Sequence, residues 1–430
     1  MRILLVRPRI NNLFTGINLL NVEPLELEYL AATVKEEGWH CIIHDEMVEK
    51  KSFKKIFSEV RPDVVGITGY CNSVDKVLRY AELVKKWSSD TKVVIGGIHA
   101  EVNYQDFYKP SVDVVVHSGG CETFRRLIKL MIIKEQLLNL KGICHRDPLD
   151  QWCFNPRAKF LVDQLPKPDR EHFYKHRNKF KYLDYGSCAL VKTAYGCPYT
   201  CSFCYCRLLN DGHYTARSLE DVLEEIQGID CDTIWMIDDT FLVDRERVER
   251  FARGIKERGI EKRFIVYGRA DFICDHEELM PIIKRMGVID VIVGLEAVDD
   301  ERLKEYQKAY SRNVNEECVR ILHTHGINCT ALFMVHYNDT REDFNRLIQW
   351  IKERSLWTST LSIFTPLPGT ILYNEYKDKL QVHKHRKLDF LHLLLEPTQM
   401  SRIAFYYEFY KITGMLLWKN RRRICHLWMN

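Results

Sequence analysis

Short apolar runs of β-forming residues recur along the first 120 positions, at Ile3–Val6, Cys41–His44, Val64–Thr68, Val93–Ile95 and Val112–Val116. Between most of them apolar residues return every three or four positions, the spacing of a helix with one buried face. Continuous runs suit strands covered on both sides, and five βα units in series predict a doubly wound, Rossmann-like parallel sheet over residues 1–135. Pro24 stands where a first helical turn tolerates it, and Gly38 follows that helix as a stop signal. From 136 to 185 the pattern lapses. Asp147-Pro148, Asn155-Pro156 and Leu165-Pro166-Lys167-Pro168-Asp169 are scattered among charges, and the stretch reads as a connector.

A second series follows at Leu190–Ala194, Thr233–Ile237, Phe264–Tyr267, Ile289–Val293, Thr330–Val335 and Thr358–Phe364, each but the last succeeded by a helical pattern. Six units predict a partial (β/α)6 barrel of the TIM type over 186–385, with its chemistry at the carboxyl ends of the strands. Residues 386–430 read as a helical segment. Its aromatic stripe through Arg402–Trp418 packs on the barrel in this reading, the alternative being a membrane surface drawn by Arg421–Arg423.

Charge excludes some classes of partner. Lys and Arg number 63 against 59 Asp and Glu, and a formal charge of +4 leaves no electrostatic footprint for nucleic acid. A hydrophobic share of 46% is ample for buried cores, so disorder is excluded. No run approaches the roughly 18 apolar residues of a membrane span, and Met1–Arg7 breaks off too soon for a signal peptide. A cytoplasmic location is therefore expected. In such a reducing compartment, 15 cysteines point to metal or redox chemistry before disulfides.

The cysteines are unevenly used. Cys41, Cys188, Cys231, Cys274, Cys318, Cys329 and Cys425 are isolated and read as core residues. Cys197, Cys201 and Cys204 instead fall within eight residues, in Tyr195-Gly196-Cys197-Pro198-Tyr199-Thr200-Cys201-Ser202-Phe203-Cys204, just after the first strand of the second series. Three thiolates can hold three irons of a cubane cluster and leave the fourth open to an exogenous ligand. The competing reading is structural zinc, closed by Cys206 or His213.

The motif Cys197-x3-Cys201-x-Phe203-Cys204 resembles the cluster motif of the radical S-adenosylmethionine superfamily. The resemblance continues through Arg217-Ser218, Ile237-Asp238-Asp239-Thr240-Phe241, Arg269-Ala270-Asp271, Gly294-Leu295-Glu296 and Thr365-Pro366-Leu367-Pro368-Gly369-Thr370. It implies a [4Fe–4S] cluster on the three cysteines, with S-adenosylmethionine on the open iron. One electron would cleave the sulfonium to a 5'-deoxyadenosyl radical that abstracts hydrogen from substrate. Phe203 would face the adenine, Asp238 or Asp239 the ammonium, Glu296 the ribose hydroxyls and Arg269 the carboxylate. The plain alternative for each acid is a helix N-cap or a solvated surface pair, and for Arg269 a structural ion pair.

The first 135 residues resemble the cobalamin-binding module of the largest group in that superfamily. The features are Pro8, the Glu23-Pro24-Leu25 helix start, Asp45, Gly66-Ile67-Thr68 and Gly96-Gly97-x-His99, followed by the Leu165–Arg170 connector. Cobalamin contacts are expected at Pro8, Thr68, Gly69, Gly96, Gly97, His99 and Glu122. Two departures stand out. No Asp-x-His-x-x-Gly follows the first strand, so a bound corrinoid would lack that lower ligand. Ser118-Gly119-Gly120-Cys121-Glu122 replaces the usual Gly-Glu-Gly-Glu-like stretch. A third is His336-Tyr337-Asn338-Asp339, where the group has a Gly/Pro-rich turn. His336 reads as a surface-loop residue or as a substrate or cofactor contact, and His392 has a weaker claim of the same kind.

The implied activity is methylation of an unactivated carbon or phosphorus of a small molecule, with flavodoxin or ferredoxin as electron donor. The alternatives are cobalamin-independent cyclisation or rearrangement, and methylthiolation of tRNA or protein. The last needs a second cluster on three N-terminal cysteines. Cys71 and Cys121 follow strands, but Cys41 opens its strand at the opposite edge.

Overall fold

The computed structural model describes residues 1–10 and 20–421; Arg422, Arg423 and Cys425 lie outside them. The chain divides into two units, Met1–Lys179 with Lys384–Arg386, and Phe180–His383 with the residues from Lys387 onward.

In the first unit β1 (Arg2–Arg7), β2 (His40–Asp45), β3 (Val64–Thr68), β4 (Lys92–Gly96) and β5 (Val114–Val116) form a parallel sheet in the order β2-β1-β3-β4-β5. Side chains alternate across a strand, and here both sets are buried. Leu4, Val6, Val65 and Ile67 pack with Phe53–Val60 and Val74–Trp87 on one face. Ile3, Leu5, Val64 and Val94 pack with Leu25–Glu36 and Gly120–Ile133 on the other. That double burial is why the strands read as unbroken apolar runs. The strand order reverses direction between β1 and β3, so the crevice beyond their carboxyl ends is the place such a sheet offers a ligand.

The expected connector is only partly one. β6 (Ile143–Arg146) adds antiparallel to β5 and β7 (Trp152–Phe154) antiparallel to β6, and the unit runs to Lys179 rather than ending near 135. The Asp147-Pro148 signal marks their turn, where Asp147 Oδ1 accepts from the backbone N–H of Leu149 and of Gln151.

In the second unit β8 (Cys188–Val191), β9 (Thr233–Met236), β10 (Arg263–Gly268), β11 (Val288–Glu296), β12 (Asn328–Val335) and β13 (Thr360–Ile363) are parallel and neighbours in sequence order. Helices lie between consecutive strands, which gives a six-stranded half-barrel. The tail becomes a regular helix only at Arg402, running to Lys419, so the helical expectation from 386 fails over its first turns. Phe405, Phe409, Ile412 and Leu416 are its buried stripe, and Phe405 meets Phe344 edge-on at 5.3 Å. Among the described residues no helix is long and apolar enough to cross a membrane.

Candidate active site

The cysteine loop hangs from the carboxyl end of β8 and is pinned at three places. Gly196 takes φ +79°, and a Cβ there would collide with the His213 carbonyl, so only glycine makes this turn. The Gly196 N–H donates to Asp239 Oδ2 at 3.1 Å. Ser202 donates its Oγ–H to the Glu305 carbonyl at 2.9 Å and its N–H to that of Tyr306 at 3.2 Å. The loop is thus braced by the segment after β9 and by the end of the short helix Asp300–Glu305.

Cations converge on the thiols. Arg269 Nη1 lies 3.5 Å from Cys201 Sγ, its guanidinium stacks 3.8 Å from the Tyr199 ring centroid, and Asp271 holds its other edge at 2.7 Å. Lys308 is buried, with Nζ 3.0 Å from Glu296 and 5.6 Å from the Phe203 ring centroid. Burial lowers the affinity of Lys308 for its proton, but Glu296 and neighbouring groups outweigh that and the net shift is upward, so it stays charged. Burial pushes the Cys197 thiol up to about 11. Cys204 moves down instead, chiefly through its hydrogen bond with Cys206. Arg269 and Lys308 supply positive charge where thiolates bound to a cluster would bring negative charge.

Zinc fits less well. Among the described residues no three ligand atoms of this loop lie within 4.8 Å of one another. A tetrahedral ion with Zn–S near 2.3 Å requires sulfurs about 3.8 Å apart. The donor set, three thiols in a cationic recess, fits the three-cysteine cluster with an open iron.

Glu296 ends β11 with φ +62°, a strained value for a residue with a side chain, at a register shift in the pairing of β11 with β12. Gly294 makes that fold-back possible, since a Cβ on it would strike the Glu296 carboxylate. Lys308 Nζ and Tyr310 OH each donate to the Gly294 carbonyl at 3.1 Å. Phe203, Glu296, Lys308 and Arg269 are therefore one neighbourhood, and Lys308 is the member the sequence did not announce.

Other expected contacts have local occupations. Asp238 is buried and accepts from the Thr193 N–H and Oγ–H at 2.5 Å each and from the Ala194 N–H at 3.1 Å. It ties the end of β8 with both of its oxygens engaged. Burial still lifts its carboxyl to about 6 against those donors. His336, expected at the surface, is fully buried: its Nδ1 meets Asn338 Oδ1, and its backbone N–H donates to Asp339 at 2.7 Å. Burial, then Arg302, pushes its imidazole down to about 3. His392 pairs with Asp389 at 2.9 Å on a partly exposed surface.

At the N-terminal sheet, Thr68, Gly69, Gly96 and Gly97 meet at the carboxyl ends of β3 and β4. Gly97 has φ +97°, and its Cβ would lie 2.5 Å from Thr68 Oγ1; at Gly69 it would lie 2.6 Å from Ser73 Oγ. A Cβ on Gly96 would meet only the Val116 carbonyl at 3.9 Å, so of the three glycines only Gly96 has open space on its side-chain side. Pro8 follows β1 directly and is buried. His99 turns inward, its Nε2 2.7 Å from Asp106 Oδ2, which His385 also reaches at 3.2 Å; it does not present its ring to a corrinoid. Glu122 is spent on Arg126 at 2.6 Å, one turn along its own helix. The glycine cradle fits cobalamin, and the residues expected to supply side-chain contacts to it are committed elsewhere.

Comparison with known proteins finds a family model in each of the two units. The family model of the Radical SAM superfamily matches residues 191–351, and that of the B12 binding domain matches residues 19–128. The chain is 26% identical to the hopanoid C-3 methylase of Methylococcus capsulatus, over 93% of its own length and 77% of the methylase. It is 24% identical to the anaerobic magnesium-protoporphyrin IX monomethyl ester cyclase of Rubrivivax gelatinosus, over 94% of the chain and 75% of the cyclase. The fold matches that of the cobalamin-dependent S-adenosylmethionine radical enzyme OxsB with a TM-score of 0.75 at 16% identity, covering 97% of this chain and 66% of that one. With a B12-binding domain ahead of a Radical SAM domain, the chain is an enzyme whose cofactors are a [4Fe–4S] cluster, S-adenosylmethionine and cobalamin.

Proposed function

We propose that the enzyme methylates an unactivated carbon of a small molecule, with a phosphorus centre as the second target of the same chemistry. The observation that carries this reading is the pairing, in one chain, of a cationic three-cysteine loop with an open glycine, Gly96, at a strand end inside a B12-binding match. When bound, a cluster of this type supplies low-potential electrons for cleaving S-adenosylmethionine, while cobalamin can carry a methyl group.

The chain's own residues position and shield. Cys197, Cys201 and Cys204 hold the metal. Arg269 and Lys308 hold positive charge beside it, and burial around Phe203 excludes water. Glu296, fixed by Lys308 and by its strained backbone, would hold the ribose hydroxyls, and the backbone at Phe203 would meet the adenine. Asp239 braces the loop through Gly196. Thr68, Gly69, Gly96 and Gly97 would hold the corrinoid. A flavodoxin or ferredoxin in the cytoplasm is the proposed electron source.

A second reading, radical cyclisation, is favoured by the likeness to the anaerobic cyclase over nearly the whole chain. Methylthiolation is not supported, because Cys41 lies near the amino end of β2 whereas Cys71 and Cys121 follow the carboxyl ends of β3 and β5. The test is anaerobic reconstitution with iron, sulfide and hydroxocobalamin, then mass spectrometry after reduction with S-adenosylmethionine. Deoxyadenosine together with S-adenosylhomocysteine supports methylation. Deoxyadenosine alone transfers the assignment to cyclisation, and neither product overturns both.

A further inference from the structure

The N-terminal unit holds a concentration of ligand atoms outside the cysteine loop. Glu49 lies just beyond the end of β2, and the short helix Glu171–His176 carries His172 and His176. A four-residue interval puts both imidazoles on one helical face, with ring centroids 4.8 Å apart. One ligand atom from each of Glu49, His172 and His176 lies within 4.8 Å of the other two. His176 Nε2 is 3.3 Å from Glu49 Oε1, and the second oxygen, Oε2, is held by His44 Nδ1 at 2.8 Å.

Charge around this group is unbalanced. Asp45, 3.7 Å from His172 Nε2, is answered by Arg7, whose Nε donates to Oδ1 at 2.8 Å. Among the described residues Glu49 has no arginine partner of this kind: Lys175 reaches it only at 3.7 Å from a largely exposed position, and Lys179 donates to the Val48 carbonyl instead. A mostly buried carboxylate is left among three imidazoles, two of them nearly buried and His44 wholly so. Neutral imidazoles offer lone pairs, and two of them with one carboxylate form a donor set of borderline hardness that suits a divalent first-row ion. The hydrogen bond from His44 to Glu49 is the outer contact that orients a ligating carboxylate.

We propose that Glu49, His172 and His176 form a structural site for one zinc ion, with His44 positioning Glu49 and water completing the coordination. Closing on the ion requires the ligand atoms to contract to about 3.3 Å apart, given Zn–N and Zn–O near 2.0–2.1 Å. The ion would cross-link residues 127 positions apart in sequence, fixing the helix Glu171–His176 against the end of β2. No thiol takes part, so the site is chemically separable from the cluster.

The test uses the full-length chain with its cluster reconstituted, treated with a mild chelator and then supplied with zinc chloride. Metal analysis should give about one zinc per chain, the zinc K-edge absorption should show only nitrogen and oxygen neighbours, and the melting temperature should rise. H172A/H176A should lose the zinc and the rise while keeping its iron. E49Q, which preserves shape, should bind zinc at least about tenfold more weakly. Failure to retain zinc, sulfur in its shell, or unchanged affinity in E49Q would each overturn the proposal.

Discussion

At the carboxyl edge of the half-barrel the strands deliver charge: Arg269 beside Cys201, Lys308 against Glu296, Asp239 under Gly196. At the corresponding edge of the N-terminal sheet they deliver backbone, with Thr68, Gly69, Gly96 and Gly97 crowded together and the nearby ionisable groups already paired as His99 with Asp106 and Arg7 with Asp45. A cluster and a sulfonium nucleotide carry concentrated charge, so their seat needs countercharge fixed in advance. A corrinoid is broad and ringed with amides, so its seat needs flatness and room. The same strand-end geometry serves both because different residue types occupy it.

The largest test of this contrast removes a ligand on the charged side. Cys201→Ala should abolish the cluster, seen as loss of iron and of visible absorbance, and with it all deoxyadenosine formation, while cobalamin binding is retained. Lys308→Met comes next. It strands the Glu296 carboxylate in a buried setting and should cost about 3–5 kcal/mol of stability in denaturant melts, besides weakening S-adenosylmethionine binding. A change below 1 kcal/mol would mean the pair is not the brace described.

On the backbone side two adjacent glycines should part company. Gly97→Ala, forced to φ +97° with its Cβ against Thr68, should lose about 1–3 kcal/mol. Gly96→Ala should leave the fold nearly untouched and lower cobalamin affinity, measured by spectral titration. Equal affinity in Gly96→Ala and the parent chain would remove the cradle from the account.

The smallest expected effect is pH-dependent. His385 is raised, first by its hydrogen bond with Asp106, so its contribution is present below its unfolded value near 6.5 and is lost as pH rises through the folded one. Asp106 is depressed despite burial, by His385 and His99, so its contribution is lost only as pH falls below about 4. Both groups are partly exposed, so the loss between pH 6 and 8 should stay below about 1 kcal/mol. Asp106→Asn should flatten it.

Much of the architecture was legible because burial on both sheet faces leaves unbroken apolar runs, and because three thiols in one loop have few other uses. What escaped did so for physical reasons. β6 and β7 are short and flank a turn whose Asp-Pro signal was read as an end of structure. Asp238 and Asp239 are neighbours of identical chemistry, and only the fold shows that the first is consumed by Thr193 and Ala194 while the second braces Gly196. Lys308 lies 12 residues beyond Glu296 with no pattern to join them. His336 sits in a polar turn, and nothing local reveals that Phe364 and Tyr376 close over it.

The central claim is that the cysteine loop holds a cluster whose fourth iron is open to S-adenosylmethionine. Low-temperature electron paramagnetic resonance of the reduced, reconstituted chain tests it most directly. The account predicts a [4Fe–4S]+ signal that is absent in Cys201→Ala and whose g-values shift when S-adenosylmethionine is added. A signal indifferent to the nucleotide, or one surviving in Cys201→Ala, would contradict it.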